Sequence, residues 1–279
     1  MDRKTEIRQL LRLSPEQVRA KAGQHLVVCE DLDALHRRFA GDIAGEICEN
    51  NSQNEHTRLI LPVGPTGQYP ILAEIINSKK ISLSNCWLFF MDENCGENGK
   101  ALRSEHPLSF KGTAERLFLS RLDFCGLQSE HVIFPNEDNI GTLAARIEEV
   151  GGIDTCYGGI GIHGHVAFNE PGPGVKDSDP RLVTLNDYTV TINAIRSCVG
   201  GNIECFPRQA YTLGMKQILG SKRIRLYCRN GCQLDWANTV LRLALFGTPG
   251  DDYPVTYIRD MDYTITTDKE TLASPRHLI

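Results

Sequence analysis

Arg58-Leu59-Ile60-Leu61-Pro62-Val63-Gly64-Pro65-Thr66-Gly67-Gln68-Tyr69-Pro70-Ile71-Leu72-Ala73-Glu74-Ile75-Ile76 changes period in the middle. Residues 59–63 are a short apolar run. Residues 64–67 are turn-forming, and Ile71, Leu72, Ile75 and Ile76 then share one helical face. The reading is strand, tight turn, helix. A helix that opens on a glycine-bearing turn offers unpaired backbone N–H groups and the positive end of its dipole, so Gly64, Pro65, Thr66 and Gly67 are a candidate cradle for an anionic group. It is not a nucleotide P-loop, because the Lys-Ser/Thr ending is missing.

The same alternation extends in both directions. Upstream, His25 to Cys29 reads as a strand, and the segment from Asp31, with Leu35, Phe39, Ile43, Ala44 and Ile47 at helical spacing, as an amphipathic helix. Downstream, Cys86-Trp87-Leu88-Phe89-Phe90-Met91 is apolar throughout and reads as a central strand buried on both faces, ending at Asp92-Glu93-Asn94. His106-Pro107 is expected to start a helix. His131 to Phe134 reads as a strand, Ile140 to Val150 as a helix and Ile153 to Ile162 as a strand. Further on, Gln209 to Leu219 is expected to be a helix, Ile224 to Cys228 a strand, Leu234 to Leu245 a helix and Val255 to Ile258 a last short strand. Strands alternating with helices predict an α/β fold, a Rossmann-like, mostly parallel sheet with helices on both faces. Residues 1–24 read as a helical N-terminal extension, with Ser14-Pro15-Glu16-Gln17 as a helix start, and residues 25–279 as a single domain.

Composition narrows the function. The 279 residues are 41% apolar and 23% charged, enough for a sizeable core, with a formal net charge of −5. No Lys/Arg cluster interleaves with aromatics, so a nucleic-acid-binding surface is not expected. No apolar run reaches the ~18 residues of a membrane span, and the charged N-terminus lacks a signal-peptide core, so a cytoplasmic protein is expected. The ten cysteines are scattered without a Cys-x-x-Cys pair and read as reduced thiols.

Chemistry concentrates in Gly158-Gly159-Ile160-Gly161-Ile162-His163-Gly164-His165-Val166-Ala167-Phe168-Asn169-Glu170-Pro171-Gly172, where a strand end meets two imidazoles, a carboxylate and glycines. Asp92 and Glu93 fall at the carboxyl end of another strand, where ligands of open α/β sheets bind. A metal reading pairs His163 and His165, which in extended backbone would point the same way and could join Glu170 or Asp92 around a divalent ion.

Taken in order, Gly64-Pro65-Thr66-Gly67, Asp92-Glu93-Asn94, His106-Pro107-x-Ser109 and Gly159-Ile160-Gly161-x-x-Gly164-His165-Val166-Ala167-Phe168-Asn169-Glu170-Pro171-Gly172 resemble the glucosamine-6-phosphate deaminase/isomerase family. The resemblance runs from about residue 26 to the C-terminus and is strong in these blocks only. It implies a carboxylate, Asp92, that moves a proton between C1 and C2 of an open-chain sugar, with Glu93 as a supporting acid. It implies His165 as the ring-opening histidine, with Glu170 as its partner. It implies a lid over roughly residues 185–207, and no cofactor or metal. The implied partner is a small acidic sugar. Family members range from monomers to hexamers, so a homo-oligomer is compatible with the chain. The related 6-phosphogluconolactonases share the fold and a Gly-His here but usually lack the Phe-Asn-Glu-Pro continuation.

The chain also departs from the family. His163 stands where an acid is usual, and Pro65 replaces a small residue and removes an N–H donor. Cys232 aligns with a phosphate-binding lysine. The family arginine after position 181 is matched only with an offset, by Arg196. Arg229, Arg196 or Arg208 could restore the anion contacts by paired hydrogen bonds. Of two basic residues at the family's allosteric site, Arg181 matches and Val183 replaces the other. The expected activity is isomerisation or deamination of a phosphorylated or otherwise acidic sugar. The alternatives are a sugar lactonase, in which His165 activates water, and a non-catalytic sugar-phosphate sensor.

Overall fold

The chain from Thr57 leaves the solvent as β2 (Thr57–Leu61) at the middle of a seven-stranded sheet, whose order fixes where a ligand can enter. A computed structural model describes residues 2–231 and 234–279. Cys232, aligned above with a family lysine, lies outside them. Two helices come first, α1 (Arg3–Leu11) and α2 (Pro15–Ala22), then β1 (Leu26–Cys29) and α3 (Leu32–Ser52). After β2 follow α4 (Gln68–Lys79), β3 (Cys86–Phe90), β4 (Asp92–Cys95), α5 (Phe110–Leu117), β5 (Val132–Ile133), α6 (Leu143–Glu149) and β6 (Thr155–Gly159). The last part comprises β7 (Arg181–Thr184), α7 (Asp187–Arg196), β8 (Gln209–Thr212), α8 (Met215–Leu219), β9 (Arg223–Cys228), α9 (Ala237–Phe246), β10 (Tyr263–Asp268) and α10 (Lys269–Leu272).

The large sheet runs β1-β10-β9-β6-β2-β3-β5, every pair parallel. From β2 the chain moves outward through β3 and β5, then returns to place β6, β9 and β10 on the other side. The order therefore reverses between β2 and β6, and the crevice at their carboxyl ends is the binding position such sheets provide. The Gly64–Gly67 turn follows β2 and the Gly161–Glu170 segment follows β6, so both motifs reach that crevice. One core packs on each face. Ile60, Phe89, Cys156 and Leu226 belong to one, and Leu59, Leu61, Leu88 and Phe90 to the other, as alternation along two-sided strands requires.

A second sheet, β4-β8-β7, is antiparallel. Met91 joins the two sheets: its N–H donates to the Leu61 carbonyl at 2.9 Å and its carbonyl accepts from Leu213 N–H at 2.8 Å. Asp92 starts β4 immediately after that junction.

Three expectations need correction. Gln209–Leu219 is not one helix: residues 209–212 pair with β4 and β7, and only Met215–Leu219 is helical. Non-local pairing outweighs local propensity there. Val255–Ile258 lies in a 3-10 helix, Pro254–Asp260, because Pro254 presets a helical φ at its first position. The last strand is instead β10. The helix expected from His106-Pro107 begins at Phe110, capped by Ser109, whose hydroxyl accepts from Gly112 N–H. The N-terminal helices pack on the body: Val18 is fully buried, Arg3 pairs with Asp252, and the Leu13 carbonyl accepts from the buried Arg242 guanidinium. The cysteines among the described residues are unbridged, and no helix among them is long and apolar enough to cross a membrane.

Candidate active site

At the crevice lies a cavity of about 410 Å3. Gly64, Pro65 and Thr66 line it from the β2–α4 turn, Gly161 and His165 from the segment after β6, Arg229 from the end of β9 and Arg196 from the end of α7. Asp92 and Asn94 face it from β4. The sequence motifs thus converge, although they come from five separate elements.

Asp92 is buried, 7% exposed. Burial and then the charge of Glu93 push its pKa up to about 8. A carboxyl group so placed is tuned for proton transfer near neutral pH. Glu93 points the other way, as successive strand residues must. Its Oε1 accepts from the N–H groups of Asn94 and Phe110, both at 2.8 Å, and its Oε2 from Lys111 N–H at 2.7 Å and the Ser109 hydroxyl at 3.1 Å. Burial raises its pKa against those donors. Glu93 does not line the cavity. The expected supporting acid is instead a cap on the N-terminus of α5, acting on Asp92 through its charge. Glu93→Gln is therefore expected to cost about 1–3 kcal/mol of stability in urea unfolding, since the new amide sets a donor against donors. It should also lower the pKa of Asp92.

His165 is buried under a tight turn. Gly161 N–H donates to the His165 carbonyl at 2.9 Å, and Gly164 N–H to the Gly161 carbonyl at 2.9 Å. Gly161 is a steric requirement: a Cβ there would lie 1.9 Å from His165 Nε2. Burial first, then His163 and Arg196, push the His165 pKa down to about 3, so the ring is neutral at physiological pH. Its Nδ1 is buried without a hydrogen-bond partner. After it, Ala167 adopts a left-handed conformation (φ 54°), a strained position that turns Phe168 toward the cavity.

Two expected relations are absent. Glu170 does not orient His165: its Oε2 accepts from Asn186 N–H at 2.9 Å, at the start of α7, while Oε1 is buried and unpartnered. Burial raises its pKa. Nor are His163 and His165 an extended pair, because Gly164 between them has φ +66° and the chain turns. His163 is half-buried outside the cavity lining, its ring edge-on to Tyr188 at 4.7 Å. Among the described residues no cluster of His, Cys, Asp and Glu could hold a metal ion. Gly67 also lies behind the lining rather than in it. Arg208 pairs with Asp187 at 2.9 Å and does not line the cavity.

Asn94, Thr113 and Asn193 face the cavity without having been singled out. Asn94 was readable from its place beside Asp92. Thr113 and Asn193 project from α5 and α7, where no local pattern distinguishes them. The Phe-Asn-Glu-Pro block is chiefly a brace. Asn169 Nδ2 donates to the Val166 and Leu213 carbonyls, and its Oδ1 accepts from Ser178 and Arg181.

No family model matches the chain. Glucosamine-6-phosphate deaminases of Phocaeicola vulgatus and Caenorhabditis elegans do resemble it. The first is 30% identical over 210 residues, 73% of this chain and 76% of that protein. The second is 31% identical over 206 residues, 72% and 74% respectively. The solved structure of a monomeric glucosamine-6-phosphate deaminase, described as a missing link of the NagB superfamily, matches with a TM-score of 0.76 at 27% identity, covering 88% of this chain and 98% of that one. The 6-phosphogluconolactonase of Thermotoga maritima shares the fold, with a TM-score of 0.63 at 17% identity over 87% of this chain and 98% of the other. The chain belongs to the glucosamine-6-phosphate deaminase family of the NagB superfamily, as a divergent member whose α/β fold is also that of the 6-phosphogluconolactonases.

Proposed function

We propose that this member of a sugar-phosphate enzyme superfamily is an aldose–ketose isomerase that deaminates an amino sugar bearing a phosphate or another acidic group. The observation that carries this reading is the pair Asp92 and His165, one tuned upward and the other held neutral, facing a single cavity with an anion-binding turn and two arginines. The acidic group sits against the Gly64–Thr66 turn and Arg229, which leaves the reducing end near Asp92. Neutral His165 relays a proton between the C1 hydroxyl and the ring oxygen, which opens the ring to the aldehyde. The Asp92 carboxylate then takes the C2 proton while the carbonyl oxygen gains one, forming an enediol-type intermediate. Return of a proton to C1 leaves an imine at C2, and water adds to it as ammonia departs. No redox cofactor is needed in this sequence.

Two variants probe the substrate grip. Arg229→Ala is expected to raise KM roughly 10–100-fold with kcat little changed, the loss of charge-assisted hydrogen bonds made equally in the ground and transition states. His163→Asp places a carboxylate beside His165, which raises the imidazole pKa. Activity on glucosamine 6-phosphate is expected to rise, with the His165 limb, which lies below about pH 5 in the wild type, moved to higher pH. Loss of activity without that shift would assign His163 a role of its own.

The reading is tested by screening amino-sugar phosphates, sugar phosphates, sulfonated sugars and 6-phosphogluconolactone, with ammonia release and ketose formation read separately. Ammonia and ketose from an acidic amino sugar support it. Hydrolysis of the lactone alone overturns it.

A further inference from the structure

His36 on α3 is remote in sequence from every motif, yet its imidazole lies directly on the anion turn. A Cβ built at Gly67, the N-terminal cap of α4, would stand 2.3 Å from His36 Cε1, 2.4 Å from Nδ1 and 2.7 Å from Nε2. The ring therefore fills the space that any side chain at position 67 would occupy. His36 Nε2 is buried and has no hydrogen-bond partner. On the far side of the turn, Gly64, Pro65 and Thr66 line the cavity together with Arg229.

We propose that His36 is a positioning residue of the anion end, a proton-taking support behind the Gly64–Gly67 turn that strengthens the grip on a dianionic group. This rests on reading the turn as the anion end of the site. The physical chain is short. In the unliganded protein a protonated His36 is disfavoured by burial and then by the Arg229 guanidinium, against weaker help from Asp33 on its own helix and Asp268 at the end of β10. A dianion held by the turn and Arg229 offsets the guanidinium charge, and protonation of His36 then becomes favourable. By linkage, a proton drawn in by the anion strengthens anion binding by the same factor. A group that keeps two negative charges is thus held more tightly as pH falls.

Sulfate is the suitable probe, because it remains a dianion over the whole range. Calorimetric titration of sulfate into the wild-type protein at pH 8 and pH 6 is expected to show binding at least about fivefold tighter at the lower pH. His36→Gln, which keeps a polar side chain but takes no proton, is expected to remove that difference. Gly67→Ala, whose methyl group must displace the imidazole, is expected to weaken sulfate at pH 6 and leave binding at pH 8 less affected. Asp92 faces the same cavity and takes up a proton over this range, so the comparison of His36 with His36→Gln is repeated in an Asp92→Asn background, where the His36-dependent pH effect is expected to remain. Equal pH dependence in wild type and His36→Gln overturns the role of His36 while leaving the anion end in place. Absence of sulfate binding in the wild type at both pH values removes the anion end itself, and the proposal with it.

Discussion

Replacing Asp92 by asparagine is expected to lower kcat about a thousandfold with the substrate's KM within a few-fold of wild type. The substitution keeps the shape of a buried side chain and removes the carboxylate that faces the cavity and is proposed to take the proton from carbon. The wild-type pH profile carries the same assignment. With its pKa pushed up to about 8, Asp92 is protonated in the free protein at lower pH, so kcat/KM is expected to climb toward that value. Stability should run the opposite way. The ordinary value for this carboxyl is 3.8, so between there and about 8 the folded state holds a proton that the unfolded chain has lost. Folding stability therefore falls as pH rises through that window, and Asp92→Asn escapes the loss. The inactive variant should unfold at a higher temperature than wild type at pH 8.5, a combination of lost turnover and gained stability that a misfolded protein cannot show.

The second large effect belongs to His165. His165→Gln is expected to reduce turnover about a hundredfold on the closed-ring sugar, because glutamine cannot both take and return a proton. Since the imidazole is already neutral down to a pH near 3, no acidic limb from His165 should appear in the wild-type profile above about pH 5. Turnover within a few-fold of wild type in His165→Gln would remove the histidine from ring opening.

The parallel sheet was legible because β2, β3 and β6 are local signals: each is a short apolar run that stops at turn-forming or charged residues. The antiparallel sheet was not. Residues 209–212 contain nothing that distinguishes a strand from a helix, and they become β8 only because β4 and β7 lie on either side. The last strand, Tyr263–Asp268, carries a single aliphatic residue, Ile265, and its threonines face buried surroundings that composition does not announce.

The site divides along the same line. Asp92, the Gly64–Thr66 turn and Arg229 were readable because each follows a strand that the pattern had already placed, whereas the role of His165 and the choice of Arg196 came from the family resemblance, no helix being expected before Arg196. Glu93 and Glu170 carry the same motif signal, but the structure uses both at helix N-termini, and a sequence motif does not say which way a carboxylate turns. His36 gave no signal at all. Its importance rests on the space above Gly67, which exists only once α3 and α4 are packed together.

The most direct test of carbon-proton transfer uses the accepted aldose labelled with deuterium at C2, following the label by NMR as ketose forms. The account predicts that every turnover removes deuterium from C2, delivering it to C1 or to solvent, and that Asp92→Asn leaves it in place. Product formed by the wild-type protein with deuterium still on C2 would contradict it.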